Sequence, residues 1–240
     1  MSATPTSPKR LARIAGLLFL AVTILRGLPL VVIRPMVHIP DDASATADAV
    51  AANQSWLRVA FLSELAGLVA FILLVMVLYR LLRHVDPQIA STMVTFVTIA
   101  VAIFSANLIS YLAAVVTATD QALATALGVP GAEGLTLLLL ELHEVGYSIG
   151  EVFAGPWLLA LGYLALRSGW FPRPLAVLLM VGSFAFLTVA LAVPLFDGLP
   201  EPAVFLIAAP AALAQFWTIG YLLTRGVNTA DRELPTPTPA

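Results

Sequence analysis

The sequence predicts an all-α protein, a six-helix transmembrane bundle with both termini cytoplasmic. Three observations carry this expectation. Of 240 residues, 60% are hydrophobic and 11% charged, and the mean hydropathy is +0.96. A soluble domain carries about 25% charged residues, so too little polar surface remains here to cover a water-facing globule. Six apolar stretches each reach the roughly 20 residues that a helix needs to cross the hydrocarbon. The basic residues fall almost wholly on one side of those stretches, as cytoplasmic loops require.

The spans run over 12–33, 57–82, 89–117, 134–166, 171–196 and 202–224, in one transmembrane domain 11–226. Turn chemistry separates them. Pro35 and Pro40-Asp41-Asp42 follow the first, Asp86-Pro87 the second, and Gly128-Val129-Pro130-Gly131 precedes the fourth. Ser168-Gly169 with Pro172 and Pro174, then Gly198-Leu199-Pro200, divide the last three. The tails 1–10 and 227–240 are polar and Pro-rich, a composition that predicts disorder. Lys9, Arg10 and Arg13 before an apolar run resemble a secretory leader, but the run is too long for one and reads as a retained helix.

Nine of the twelve basic residues share one side: Lys9, Arg10, Arg13, Arg80, Arg83, Arg167, Arg173, Arg225 and Arg232. The opposite loops hold Arg34 and Arg58 beside Asp41, Asp42, Asp48, Asp120, Glu133, Asp197 and Glu201. That asymmetry places both termini in the cytoplasm and the acidic loops outside. Each outward-to-inward span also ends in Tyr followed four residues later by Arg: Tyr79/Arg83, Tyr163/Arg167 and Tyr221/Arg225. At that spacing the ring sits at headgroup level and the guanidinium one turn further out. The outer stretch "HIPDDASATADAVAANQSW" has Asp and Ser as cap candidates, predicting a short surface helix that ends near Asn53.

The fourth span carries the chemistry. "LLLLELHEVGYSIGE" (137–151) places Glu141, His143, Glu144 and Glu151 in an apolar run. Fourteen Leu, Ile, Val or Phe residues between Gly134 and Ala165 favour insertion by roughly 4–8 kcal/mol, and three central carboxylates oppose it by roughly 8–10 kcal/mol. Those carboxylates therefore need company from other helices. Glu141, Glu144, Ser148 and Glu151 fall within an arc of about 80°, extended by Tyr147 and His143. Gly146 and Gly150 form a G-x-x-x-G seam at its border, which admits a close helix. Arg26, Glu64 and Asn107, from spans one, two and three, lie at a similar depth in the outer half. The expectation is an intramembrane polar cluster of Arg26, Glu64, Asn107, Glu141, His143 and Glu144, with Arg26 shared among the three glutamates. Arg58 is placed to join it or to pair with Asp41 or Asp42.

Several chemistries are excluded. Zero Cys rules out disulfides and thiolate metal sites. "HEVGY" has Tyr147 where H-E-x-x-H needs its second His, so no metal ligand set is assigned. No nucleophile elbow or phosphate-cradling glycine loop occurs, so no catalytic residue or cofactor is expected. No basic stripe with aromatics points to nucleic acid. Gly155-Pro156 predicts a bend in span four.

The chain resembles the bacterial membrane family called domain of unknown function 4386. The likeness runs through "ARIAGLLFL" (12–20), "PDDASATA" (40–47), "LRVAFLSEL" (57–65), "LYRLLRHV" (78–85), "ELHEVGYSIGEVFAG" (141–155) and "LGYLALRSGWFPRPLAVLL" (161–179). It covers about 12–225 and implies a multi-pass membrane protein without an assigned activity. In that resemblance Glu64, Glu141 and His143 are family positions, and Arg26, Glu144 and Glu151 are departures. The functional expectation is a non-enzymatic membrane protein whose outer-half cavity takes a small ligand, proton or ion. The alternative is an accessory protein holding a partner helix in the Gly146/Gly150 seam; an intramembrane enzyme is the third reading. Membrane lipids are the one partner that composition implies.

Overall fold

Proline and aspartate caps set where the helices start. In a computed structural model, residues 7–196 and 200–228 are described. Ser7 caps α1 (Pro8–Leu28), its Oγ accepting from Arg10 N at 3.4 Å. A π-helical turn, Pro29–Ile33, closed by Arg34 N donating to the Pro29 carbonyl, leads directly into α2 (Arg34–Val37). Together they make one apolar rod, Pro8–Val37. Then come α3 (Ala43–Ala52), α4 (Gln54–Leu82), α5 (Pro87–Thr119), α6 (Gln121–Leu127), α7 (Val129–Ser168), α8 (Arg173–Leu195) and α9 (Glu201–Thr224). Asp42, Asp86 and Asp120 cap α3, α5 and α6 by accepting backbone N–H groups.

Among the described residues six helices are long and apolar enough to cross a membrane, one for each stretch expected from the sequence. The first differs most in extent. It begins at Pro8, so residues 7–10 are a cap and first helical turn, and it continues to Val37 because the π turn accommodates Pro29 without ending the helix. Residues 1–6, 197–199 and 229–240, and with them the expected disorder of the tails and the expected turn before Pro200, lie outside the described residues. The short helix expected between the first two spans is α3, with Asn53 as its C-cap. Short α6 gave no sequence signal, because seven residues are too few to display a helical period. Proline 156 stands inside α7, which runs on through it, with Ser183 Oγ of α8 donating to the Gly155 carbonyl at 2.9 Å.

The spans close into a ring in the order α1, α4, α5, α7, α8, α9 and back to α1. The described chain ends meet at one end, where Gly226 lies beside Lys9; this is the proximal end, and α2 and α3 mark the distal one. In the proximal half the ring is filled. Trp157 of α7 reaches across to Phe19 of α1 and Phe71 of α4, with ring centroids 5.5 and 5.3 Å away, edge-on. Distally, Val37 and Val50 pack on Leu57, Ala114, Val115 and Leu140, so α2 and α3 form a roof over α4, α5 and α7. Outside, Leu62, Val69, Ile109, Phe184, Phe205, Leu206 and Phe216 are all exposed, an apolar belt suited to acyl chains.

The glycine seam is real and already occupied. A Cβ on Gly146 would strike Asn107, and one on Gly150 would strike the Phe104 ring, both on α5. The expected partner helix is therefore α5 of the same chain, which corrects the idea that Gly146 and Gly150 hold a separate protein. Gly150→Leu forces α5 off α7 and lowers stability by about 1–3 kcal/mol. Ile149→Leu, one residue away and exposed, leaves the unfolding midpoint in detergent unchanged.

Candidate functional site

Between α1 and α7 the ring is spanned by side chains alone. These two helices lie opposite one another with no close backbone approach among the described residues. In the distal half the space between them is a cavity of about 140 Å³. On this measure about 10–15 Å³ takes one water, so the cavity takes several waters or a small organic molecule. Pro29, Leu30 and Ile33 of the π turn line one wall. Leu57, Ala60, Phe61 and Glu64 of α4, and Leu108 and Tyr111 of α5, line the next two. Leu140, His143, Glu144, Tyr147 and Ser148 of α7 complete it.

Arg26 forms the floor. Its Nε donates to Glu64 Oε1 at 2.8 Å, with both side chains nearly buried. Its Nη2 donates to the Tyr147 hydroxyl at 3.4 Å. The guanidinium carbon lies 4.2 Å from the Phe104 ring centroid, 5.6 Å from Tyr147 and 6.0 Å from Phe71. The cation is thus held by one carboxylate and three aromatic faces, each face worth about 0.5–2 kcal/mol. Gly67 of α4 makes this reachable: a Cβ there would stand 2.5 Å from Arg26 Cγ, so only glycine lets the stem lie across α4.

Glu144 forms the rim. It receives Arg34 Nη2 at 2.6 Å and lies 2.7 Å from His38 Nδ1. Arg34 and His38 are four residues apart, so one turn of the rod presents both to α7. The wall between α5 and α7 is clamped by Asn107, whose Nδ2 donates to the His143 carbonyl at 2.7 Å and lies 3.0 Å from His143 Nδ1. The Tyr111 ring lies tilted against His143 with centroids 5.2 Å apart, and its hydroxyl donates to the Leu57 carbonyl at 3.3 Å.

Of the six residues expected to cluster, Arg26 and Glu64 pair, and Asn107 and His143 pair beside them. Glu144 is in the cavity wall but pairs with Arg34 and His38 rather than Arg26. Glu141 stands apart, exposed outside the bundle with no ion pair among the described residues. The reason is angular. Leu140 is buried, and one residue turns a helix by about 100°, which carries Glu141 off the inward face. The shared Arg26 network is thereby corrected to one pair, Arg26 with Glu64, and a separate group of three, Glu144 with Arg34 and His38. Arg58 is likewise exposed and unpaired with any acid among the described residues.

Sequence reasoning missed Arg34, His38, Tyr111 and Gly67. Pro35 reads as a helix end, which assigned Arg34 and His38 to a loop; the signal that finds them is their i, i+4 spacing. Glu151, expected on the polar face, is 9% exposed, and its Oε2 is buried without a hydrogen-bond partner.

Fold and site together define a multi-pass integral membrane protein with an ion-paired cavity in one half of its bundle. The family described as Domain of unknown function (DUF4386) matches residues 14–226, and the chain belongs to it. No curated protein and no solved structure matches.

Arg26→Met strands Glu64 inside the bundle and costs about 3–5 kcal/mol, whereas adding Glu64→Leu recovers part of that loss. Glu141→Gln shifts stability by less than about 0.5 kcal/mol. Unfolding midpoints of the four proteins, wild type included, check both statements.

Proposed function

We propose that this is a non-enzymatic protein of the bacterial cytoplasmic membrane that binds a small amphipathic ligand in its distal cavity, with both termini cytoplasmic and the cavity in the outer half. The carrying observation is that the space around Arg26, Glu64, Tyr147 and Glu144 is unfilled by side chains. A cluster that served register alone would be packed, because each methyl-sized void in a core costs about 1 kcal/mol. Apolar walls from Leu30, Ile33, Phe61 and Leu108 suit a hydrocarbon body. Ser148 and the Tyr111 and Tyr147 phenols suit a polar group at one end, the usual division of labour in a ligand pocket. The orientation rests on the basic residues at the proximal helix ends.

The lack of native Cys makes orientation directly readable. Asp48→Cys on α3 labels with a membrane-impermeant maleimide in intact cells, and Gln88→Cys, at the start of α5, labels only after permeabilisation; the reverse pattern overturns the assignment. Ligand binding is read as thermal stabilisation of the nanodisc-held protein across a panel of small amphipaths. Ala60→Phe points a ring into the cavity and removes the stabilisation while the protein still folds. A panel in which no compound stabilises wild type more than Ala60→Phe refutes the cavity reading.

A further inference from the structure

Behind the cavity floor, the cluster around Arg26 is one positive charge short. Arg26 from α1 pairs with Glu64 from α4 and donates to Tyr147 of α7, one helical turn from Glu151. Tyr147, one turn before Glu151, is the other titratable group there. The remaining neighbours bring no compensating charge: α5 has no charged residue, and α8 has only Arg173, at its proximal end. Glu64 takes the strong bond from Arg26 Nε. Glu151 is left nine-tenths buried with Oε2 unpartnered. An ionised carboxylate is an acceptor at both oxygens, and a bare charge at mid-membrane costs at least about 2.5–3.5 kcal/mol. A proton on Glu151 removes the charge and brings the cluster to zero net charge.

The same side chains supply a route. Tyr147 lines the cavity. Its hydroxyl accepts from Arg26 Nη2, and Glu151 stands one helical turn further along the same face of α7. A hydroxyl donates one proton and accepts at its lone pairs, so it can hand its own proton inward while taking another from the cavity.

We propose that Glu151 is a proton-binding site at the inner end of the cavity, loaded through the Tyr147 hydroxyl. In the loading step the Tyr147 O–H proton passes to a Glu151 carboxylate oxygen as the Tyr147 oxygen takes a proton from a hydronium ion in the cavity, which is left as neutral water. Only O–H bonds form and break, and the charge moves from cavity to carboxylate. Arg26 remains a cation throughout; it orients Tyr147 and holds Glu64 as its own counter-ion. This inference does not depend on an organic ligand, so it stands or falls separately from the cavity reading.

Infrared spectroscopy of the full chain in lipid tests it, through the carbonyl stretch of un-ionised carboxylic acid, which shifts in D2O. Glu151→Gln removes one component of that band, and Glu64→Gln, Glu144→Gln and Glu141→Gln each retain it. Glu151→Asp keeps an acid one methylene further back and moves the component rather than deleting it, which answers the question even if the glutamine variant fails to fold. Tyr147→Phe keeps the component and slows its shift on transfer to D2O. A Glu151→Gln or Glu151→Asp spectrum identical to wild type in this band overturns the site. Exchange in Tyr147→Phe as fast as in wild type overturns the route.

Discussion

Hydrocarbon cannot solvate a guanidinium, and most of this structure's distal half follows from where Arg26 finds substitutes for water. Glu64 supplies the counter-charge, and Phe71, Phe104 and Tyr147 supply polarisable faces. Those groups come from α4, α5 and α7, so one side chain on α1 ties four helices together at a level where α1 and α7 do not otherwise meet. Removing one partner of such a pair is far costlier than never having built it. Gly67 belongs to the same arrangement, since any larger residue would lift the Arg26 stem off α4.

The cavity is the geometric counterpart of that bracing. In the proximal half, Trp157 fills the distance between α1 and α7 with an aromatic ring. In the distal half, the corresponding distance is bridged by long polar side chains, Arg26 below and Arg34 with His38 above. Ion pairs span a gap without filling it. The π turn contributes from the other side: it carries Arg34 and His38 into alignment with Glu144 and presents Pro29, Leu30 and Ile33 as an apolar wall. Such turns recur at functional sites because they reposition side chains without ending the helix.

Two kinds of polar contact coexist in this bundle and have different consequences. Asn107 on the His143 carbonyl, and Thr117 with Thr136 at 2.9 Å, join α5 to α7 where the backbones already touch. They satisfy buried polar groups and set register. Arg26, Glu64, Tyr147 and Glu151 instead surround or underlie open space. Only the second kind leaves room for anything to enter, so the functional reading attaches to that group alone.

How much of this was legible beforehand differs by level. Six spans, the short helix α3 and the pairing of Arg26 with Glu64 could be read from composition, cap residues and depth, because each depends on local chemistry or on the distance along one helix axis. The true inward face of α7 could not. Periodicity centred it on the carboxylates and so included Glu141; the structure centres it on Leu140, Glu144 and Tyr147, since neighbouring helices, not polarity, choose which meridian is covered. The alliance of Glu144 with Arg34 and His38 was hidden by Pro35, which a sequence presents as a stop and the π turn makes passable. The sequence by itself determined that the chain spans a membrane and that its intramembrane charges need partners. Tertiary structure alone decided which partners, and that the space among them stays open, because a void is a property of helices held apart and no single strand of residues encodes it.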